Sequence, residues 1–96
     1  MSANLTVETF LPHVDQAFAA QFSDGELSMT LTLAQLLKGG PSPASIRPPF
    51  ELRFTCPVHL RQQTYLLRHE QLGEQEIFLV PVAQEGETFV YQAVFN

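Results

Sequence analysis

A chain of 96 residues with 5 Lys+Arg against 10 Asp+Glu carries a formal charge of −5 and has room for one domain, residues 1–96. With a single lysine, Lys38, it lacks the row of cations that phosphate backbones and anionic bilayers require, so neither nucleic acid nor a membrane surface is an expected partner. One cysteine, Cys56, excludes an intramolecular disulfide.

Hydrophobic residues make up 45% of the chain, which predicts a folded core, but charged residues only 16%, under the ~25% of an average domain. Such a surface leaves neutral or apolar area outside, suited to a protein partner or to a second copy of the chain. The first residues hold no charged and apolar leader, and no apolar run approaches the ~18 residues of a membrane helix, so a cytoplasmic location is expected.

In chain order, Thr6 fits a helix N-cap with Glu8 in the first turn, and Pro12 limits the length, which predicts one short helix over Val7 to His13. From Gln16 the apolar period falls to two. Phe18, Ala20 and Phe22 face one way, and after a Ser23-Asp24-Gly25 turn so do Leu27, Met29, Leu31 and Leu33, which predicts a hairpin. Ala34 to Leu37 reads either as more strand or as one helical turn. Lys38 to Pro49, with two glycines and four prolines, is a long loop, and loops of a dozen residues in small domains are functional or mobile.

Phe50, Leu52, Phe54 and Cys56 alternate with Glu51, Arg53 and Thr55 in a second clean strand ended by Pro57. Strands are expected over Thr64 to Glu70, Glu74 to Val82 and Thr88 to Phe95, with turns at Gln71-Leu72-Gly73 and around Gly86. Apolar residues on both faces of Glu74 to Val82 predict a central strand or one covered on both sides, with Pro81 marking an edge or a bulge. Six short strands and one helix predict an all-β fold: a compact antiparallel barrel or sandwich, with the helix plugging one end of a barrel.

Few residues invite chemistry. Cys56 and His59 have C-x-x-H spacing and His69 lies on the next strand, but a zinc centre wants three or four ligands and no further pair of this kind exists. Cys56 fits better as a small buried hydrophobe and His69 as a satisfied core or rim histidine. A Cys-His-Asp nucleophile would also need oxyanion donors, which nothing marks. No glycine-rich phosphate loop occurs. The chain is therefore read as a non-enzyme that needs no cofactor. Glu70, Glu74 and Glu76 surround one hairpin turn as an acidic rim that would suit a basic protein surface. Lys38, Ile46 and Arg47, in the neutral proline-rich loop, complete the candidate partner-binding set, with Arg47 expected to pair with one of those glutamates.

The segments Arg47-Pro48-Pro49-Phe50-Glu51-Leu52-Arg53-Phe54, Thr64-Tyr65-Leu66-Leu67-Arg68-His69, Leu72-Gly73-Glu74, Phe78-Leu79-Val80-Pro81-Val82 and Tyr91-Gln92-Ala93-Val94-Phe95-Asn96 resemble, in this order, a family of small bacterial proteins classed only as a domain of unknown function. Phe10-Leu11-Pro12-His13-Val14 is similar to its opening. In that family a glycine commonly precedes the Thr-Tyr pair, where this chain has Gln63. The resemblance transfers no catalytic residue. It implies an accessory role beside phage-tail-like fibre or collar proteins. The expected function is a protein-binding or assembly module, and the alternative is a small barrel that carries an apolar molecule or lipid inside.

Overall fold

The computed structural model describes residues 5–37 and 49–95. The order is α1 (Val7–Phe10), a 3-10 turn (Leu11–His13), β1 (Ala17–Phe22), β2 (Gly25–Leu36), β3 (Phe50–Cys56), β4 (Gln63–His69), β5 (Gly73–Glu85) and β6 (Thr88–Phe95). The strands close a barrel in the order β1-β2-β3-β6-β5-β4, every pair antiparallel. It consists of two three-stranded meanders, sewn along β3–β6 and along β1–β4. Closure settles the choice between barrel and sandwich, and it removes the free edges that a small sheet would otherwise expose.

The alternation read from the sequence places the core. Phe18, Met29, Leu31, Phe50, Leu52, Phe54, Leu67, Ile77, Leu79 and Tyr91 all point inward at 1% exposure or less, and Phe10 joins them from α1. Burying a side chain of this kind contributes about 1.5–3 kcal/mol, and a barrel of this girth is filled by its own residues.

Two irregularities redirect the pattern. Between Leu31 and Leu33 the β2–β3 register slips, so Ala34 rather than Leu33 takes the next inward position, and β2 continues as strand to Leu36 without a helical turn. Between Pro81 and Ala83 the β5–β6 register slips as well, the bulge that a proline inside a strand announces. Of the two expectations for β5, the central position holds, between β4 and β6, and coverage of both faces is corrected: Phe78 is half exposed on the outside, beside exposed Val82 and Val94. Gly25 and Gly73, at φ 149 and 74, supply the turn geometry that a side chain would resist.

Different chemistry closes each mouth. At one, α1 lies across the barrel with Phe10 6.0 Å from both Phe50 and Phe95, whose rings stack 4.7 Å apart. The Thr6 N–H donates to Thr9 Oγ1 at 3.3 Å, which starts the helix, and it tightens to 3-10 at Leu11 because Pro12 has no N–H to offer. At the other mouth, residues 57–62 cross from β3 to β4. Tyr91 Oη accepts from Leu60 N at 2.7 Å and donates to the Val58 carbonyl at 2.6 Å, and Tyr65 Oη donates to the Arg61 carbonyl at 2.6 Å. Burial first, then Cys56 and Tyr65, push the Tyr91 hydroxyl up to about 12 against the opposing Leu60 N–H, so it stays protonated and able to donate.

Tyr91→Phe keeps the ring in the core but strands the Leu60 N–H and the Val58 carbonyl. The expected loss is about 1–3 kcal/mol in urea-induced unfolding. An unchanged midpoint would mean that the crossing segment does not depend on the hydroxyl.

Candidate functional site

The ladder between β1 and β4 is the shortest in the barrel. It registers only Ala19 with Arg68 and Ala20 with Leu67, whereas β4 and β5 pair at every residue from Gln63 to His69. Beside this seam the outer wall is indented by a groove of about 660 Å³. Its floor is made of small residues, Ala17 and Ala19 on β1, Ser28 on β2 and Gly73 at the start of β5, and its sides are Glu26, Arg68, His69 and Glu70.

The small floor lets Arg68 reach across β1. Its Nη2 donates to Glu26 Oε2 on β2 at 2.8 Å, and Gln21 Nε2 donates to the same oxygen at 3.2 Å. Both partners of the ion pair are half exposed, so the strap contributes at most about 1 kcal/mol. Its main effect is on shape and charge: it leaves Glu70 as an exposed carboxylate at the rim without a cation drawn to it among the described residues.

The inner wall is His69, which is 6% exposed. Its Nδ1 accepts from the backbone N–H of Gln71 at 3.0 Å and of Leu72 at 3.3 Å, so the neutral ring carries its proton on Nε2 and donates to Gln16 Oε1 at 2.7 Å. His13 Nδ1 donates to the same Gln16 oxygen at 2.9 Å. The two imidazoles lie 4.4 Å apart and Phe18 packs 4.6 Å from His69. Burial first, then the neighbouring His13, holds His69 below the usual imidazole range, while Glu70 opposes this weakly. With both nitrogens engaged, His69 is a satisfied histidine with no free lone pair for catalysis.

A second polar cluster lies on the outside of β3. Glu51 sits where alternation predicts a solvated residue, yet it is 5% exposed. Gln35 Nε2 donates to its Oε2 at 2.6 Å, Gln92 Nε2 to its Oε1 at 2.7 Å and Arg53 Nε to Oε1 at 3.3 Å. These donors, Gln92 foremost, hold the Glu51 carboxyl below its ordinary value against the opposing effect of burial.

Of the residues singled out in the sequence, Glu70 lines the groove, Glu74 is registered beside Arg68, and Glu76 is registered one step further along the wall beside Leu66. All three are exposed. Lys38, Ile46 and Arg47, and with them the Arg47 pairing, lie outside the described residues. Gln63 is the first residue of β4, paired with Leu79. Cys56, His59 and His69 are not brought together. The Cys56 thiol is buried and donates to the Val58 carbonyl at 3.2 Å, His59 packs 5.3 Å from Phe89 beside a groove of about 270 Å³, and His69 is at the opposite mouth. Among the described residues no three His, Cys, Asp or Glu side chains cluster as metal ligands, and no helix is long and apolar enough to cross a membrane. The sequence reading missed Glu26, Arg68, Ala17 and Ala19. Two alanines on the outer face of β1 were the available signal, since small outward residues leave a hollow.

The chain belongs to the family described as "Domain of unknown function (DUF6916)", whose profile it matches over residues 5–95. No curated protein and no solved structure matched it.

Glu51 is expected to add stability at neutral pH. Because its native pKa is lowered, that contribution is present above the unfolded value of 4.5 and is lost as pH falls through the native value. Glu51→Gln, which cannot ionise, is expected to cost about 1–3 kcal/mol at neutral pH and to flatten the acid limb of a stability–pH profile. Identical acid limbs in the two proteins would show that Glu51 does not carry the slope.

Proposed function

We propose that the chain is a non-enzymatic protein-binding module that assists assembly, and that it meets its partner along the groove at the β1–β4 seam. The observation that carries this reading is the groove itself: a floor of Ala17, Ala19, Ser28 and Gly73 next to the exposed rim carboxylate Glu70 and the Arg68–Glu26 strap. A small-residue floor admits backbone or slender side chains closely. Glu26, Glu70 and the nearby Glu74 outnumber Arg68, so the favoured partner surface is basic.

The side chains that could act as nucleophile or base support the same reading. Cys56 is buried and hydrogen-bonded, and both nitrogens of His69 are engaged. A carrier would need the inside of the barrel, which Phe10, Phe18, Phe50, Phe54 and Tyr91 occupy with the aliphatic core. The partner class implied by the sequence resemblance, a fibre or collar protein of a tail-like apparatus, enters the proposal as the first candidate to test.

The test is titration calorimetry against a purified fibre or collar protein of a tail-like apparatus. Filling the groove with Ala17→Phe or reversing its rim with Glu70→Lys is expected to weaken binding at least tenfold. Glu85→Lys, at the far end of β5, is expected to leave it unchanged. Equal loss in all three variants, or none, would move the interface elsewhere, and a homodimer that Ala17→Phe dissociates would identify the partner as a second copy.

A further inference from the structure

We infer that Gln16, held between His13 and His69, is a proton-operated latch that fastens the N-terminal plug to the barrel, and that acid releases the plug while the strands stay closed. The inference does not depend on which partner the groove takes.

The geometry is specific. One carbonyl oxygen, Gln16 Oε1, accepts from His13 on the 3-10 turn at 2.9 Å and from His69 on β4 at 2.7 Å, residues 53 positions apart from Gln16 to His69. Beyond the latch, Asp15 N donates to the Leu31 carbonyl at 2.6 Å and Leu31 N to the Gln16 carbonyl at 3.0 Å, so the chain from Asp15 onward is anchored to β2 by backbone bonds. Asp15 takes φ 74, the left-handed turn that separates plug from strand. Before that point, the plug meets the barrel through the latch, the burial of Val7 and Phe10 and the packing of Leu5 and Val14 against the core.

Protonation attacks this arrangement at a defined atom. The neutral His69 ring offers Nδ1 as acceptor to two backbone N–H groups. The imidazolium must carry a proton on that same nitrogen, which sets three donors against each other, so the ring is driven out of the turn at residues 70–72 and away from the Gln16 oxygen that its Nε2–H holds. His13, its ring centroid 4.4 Å away, further disfavours the charged form of the nearly buried His69. The charged groups that share the groove are Glu70, which favours the proton on His69, and the Arg68–Glu26 pair, whose members are bonded to each other. Phe18, packed on the His69 face, adds no charge.

The sign follows from linkage. The seated plug brings His13 and burial against His69, the two effects that hold its imidazole below the ordinary value of 6.5, so the ring binds fewer protons with the plug seated than with it free. Seating is therefore fully favoured above that value and weakens as pH falls through it toward the native pKa. Within that window the open-to-seated ratio rises about tenfold per pH unit for each proton taken up. Release withdraws Phe10 from the stacked Phe50–Phe95 pair at that mouth.

The experiment follows the isotopically labelled full chain by NMR from about pH 8 to about pH 4.5, across the range in which imidazoles titrate. The Val7 methyl and Phe10 ring signals report the plug. The reactivity of the native Cys56 thiol toward dithiodipyridine reports opening of the barrel from its opposite end. The expected result is growth of released-plug signals in step with the His69 ring titration, while Cys56 stays protected. His69→Asn offers a carbonyl to the same two N–H groups but cannot titrate, and it is expected to reduce the pH response at least tenfold. His13→Phe, which keeps a ring in place, is expected to reduce it as well, and serves if the Asn variant does not fold. Three results would overturn the latch: plug signals that ignore pH, both variants responding like the wild type, or Cys56 becoming reactive at the pH where the plug is released.

Discussion

The barrel closes through two registered residue pairs, Ala19 with Arg68 and Ala20 with Leu67, and the remaining features of the molecule are arranged around that short seam. Without it the two meanders would share only the β3–β6 ladder and form an open sheet with β1 and β4 as free edges. Two pairs are little backbone bonding for closure, so side chains carry the join. Inside, Phe18 and Leu67 from the two seam strands enter the common core. Outside, Arg68 crosses Ala19 to Glu26. The same small residues that allow the strap to cross also hollow the wall, so the groove is a geometric consequence of how the barrel is shut.

Both mouths must be shut as well, because the core residues nearest each end would otherwise meet water. The solutions differ in their response to conditions. Tyrosine hydroxyls at the crossing segment stay protonated through the whole physiological range, so the hydrogen bonds they donate there do not change with pH. At the plug end the apolar contact of Phe10 is supplemented by two imidazoles on one oxygen, and histidine is the side chain whose ordinary titration falls near neutrality. A fold that needed only stability could have used tyrosine at both mouths.

The parts of this structure that were legible in the sequence are those set by a period of two. Phe50, Leu52, Phe54 and Cys56 were readable as inward because nothing interrupts their alternation, and Pro81 announced its bulge because its missing N–H leaves few alternatives. The slip between Leu31 and Leu33 had no comparable marker, so Ala34 was missed as a core residue. Alternation also gives only the side of the sheet, not what lies on it. Glu51 was correctly outward, but its burial depends on Gln35 and Gln92 arriving from β2 and β6, contacts made by register between distant segments. The same applies to His13, Gln16 and His69. His69 was legible as a core or rim histidine, but its meeting with His13 and Gln16 is a property of closure. Of the groove, Glu70 was legible as an exposed acid, whereas Glu26 and Arg68 become a pair only once β1 lies between them.

The low charge fraction of the chain acquires a structural meaning from this. A six-stranded barrel of this length has no interior volume beyond what its own side chains fill, so any contact it makes must use the outer wall or an end. The wall is uneven in character. Across β5 and β6 it exposes Phe78, Val82 and Val94, while across β4, β1 and β2 it exposes Glu26, Arg68 and Glu70 around an indented floor. Scattered apolar side chains on a convex face are ordinary, whereas a concave, small-floored, net acidic strip has a definite shape and sign, which is why the proposed interface is placed there. The acids of the chain would have kept it dispersed wherever they stood. Three of them placed at and beside the one weakly paired seam make the groove net acidic, with the ring of His69 as its inner wall.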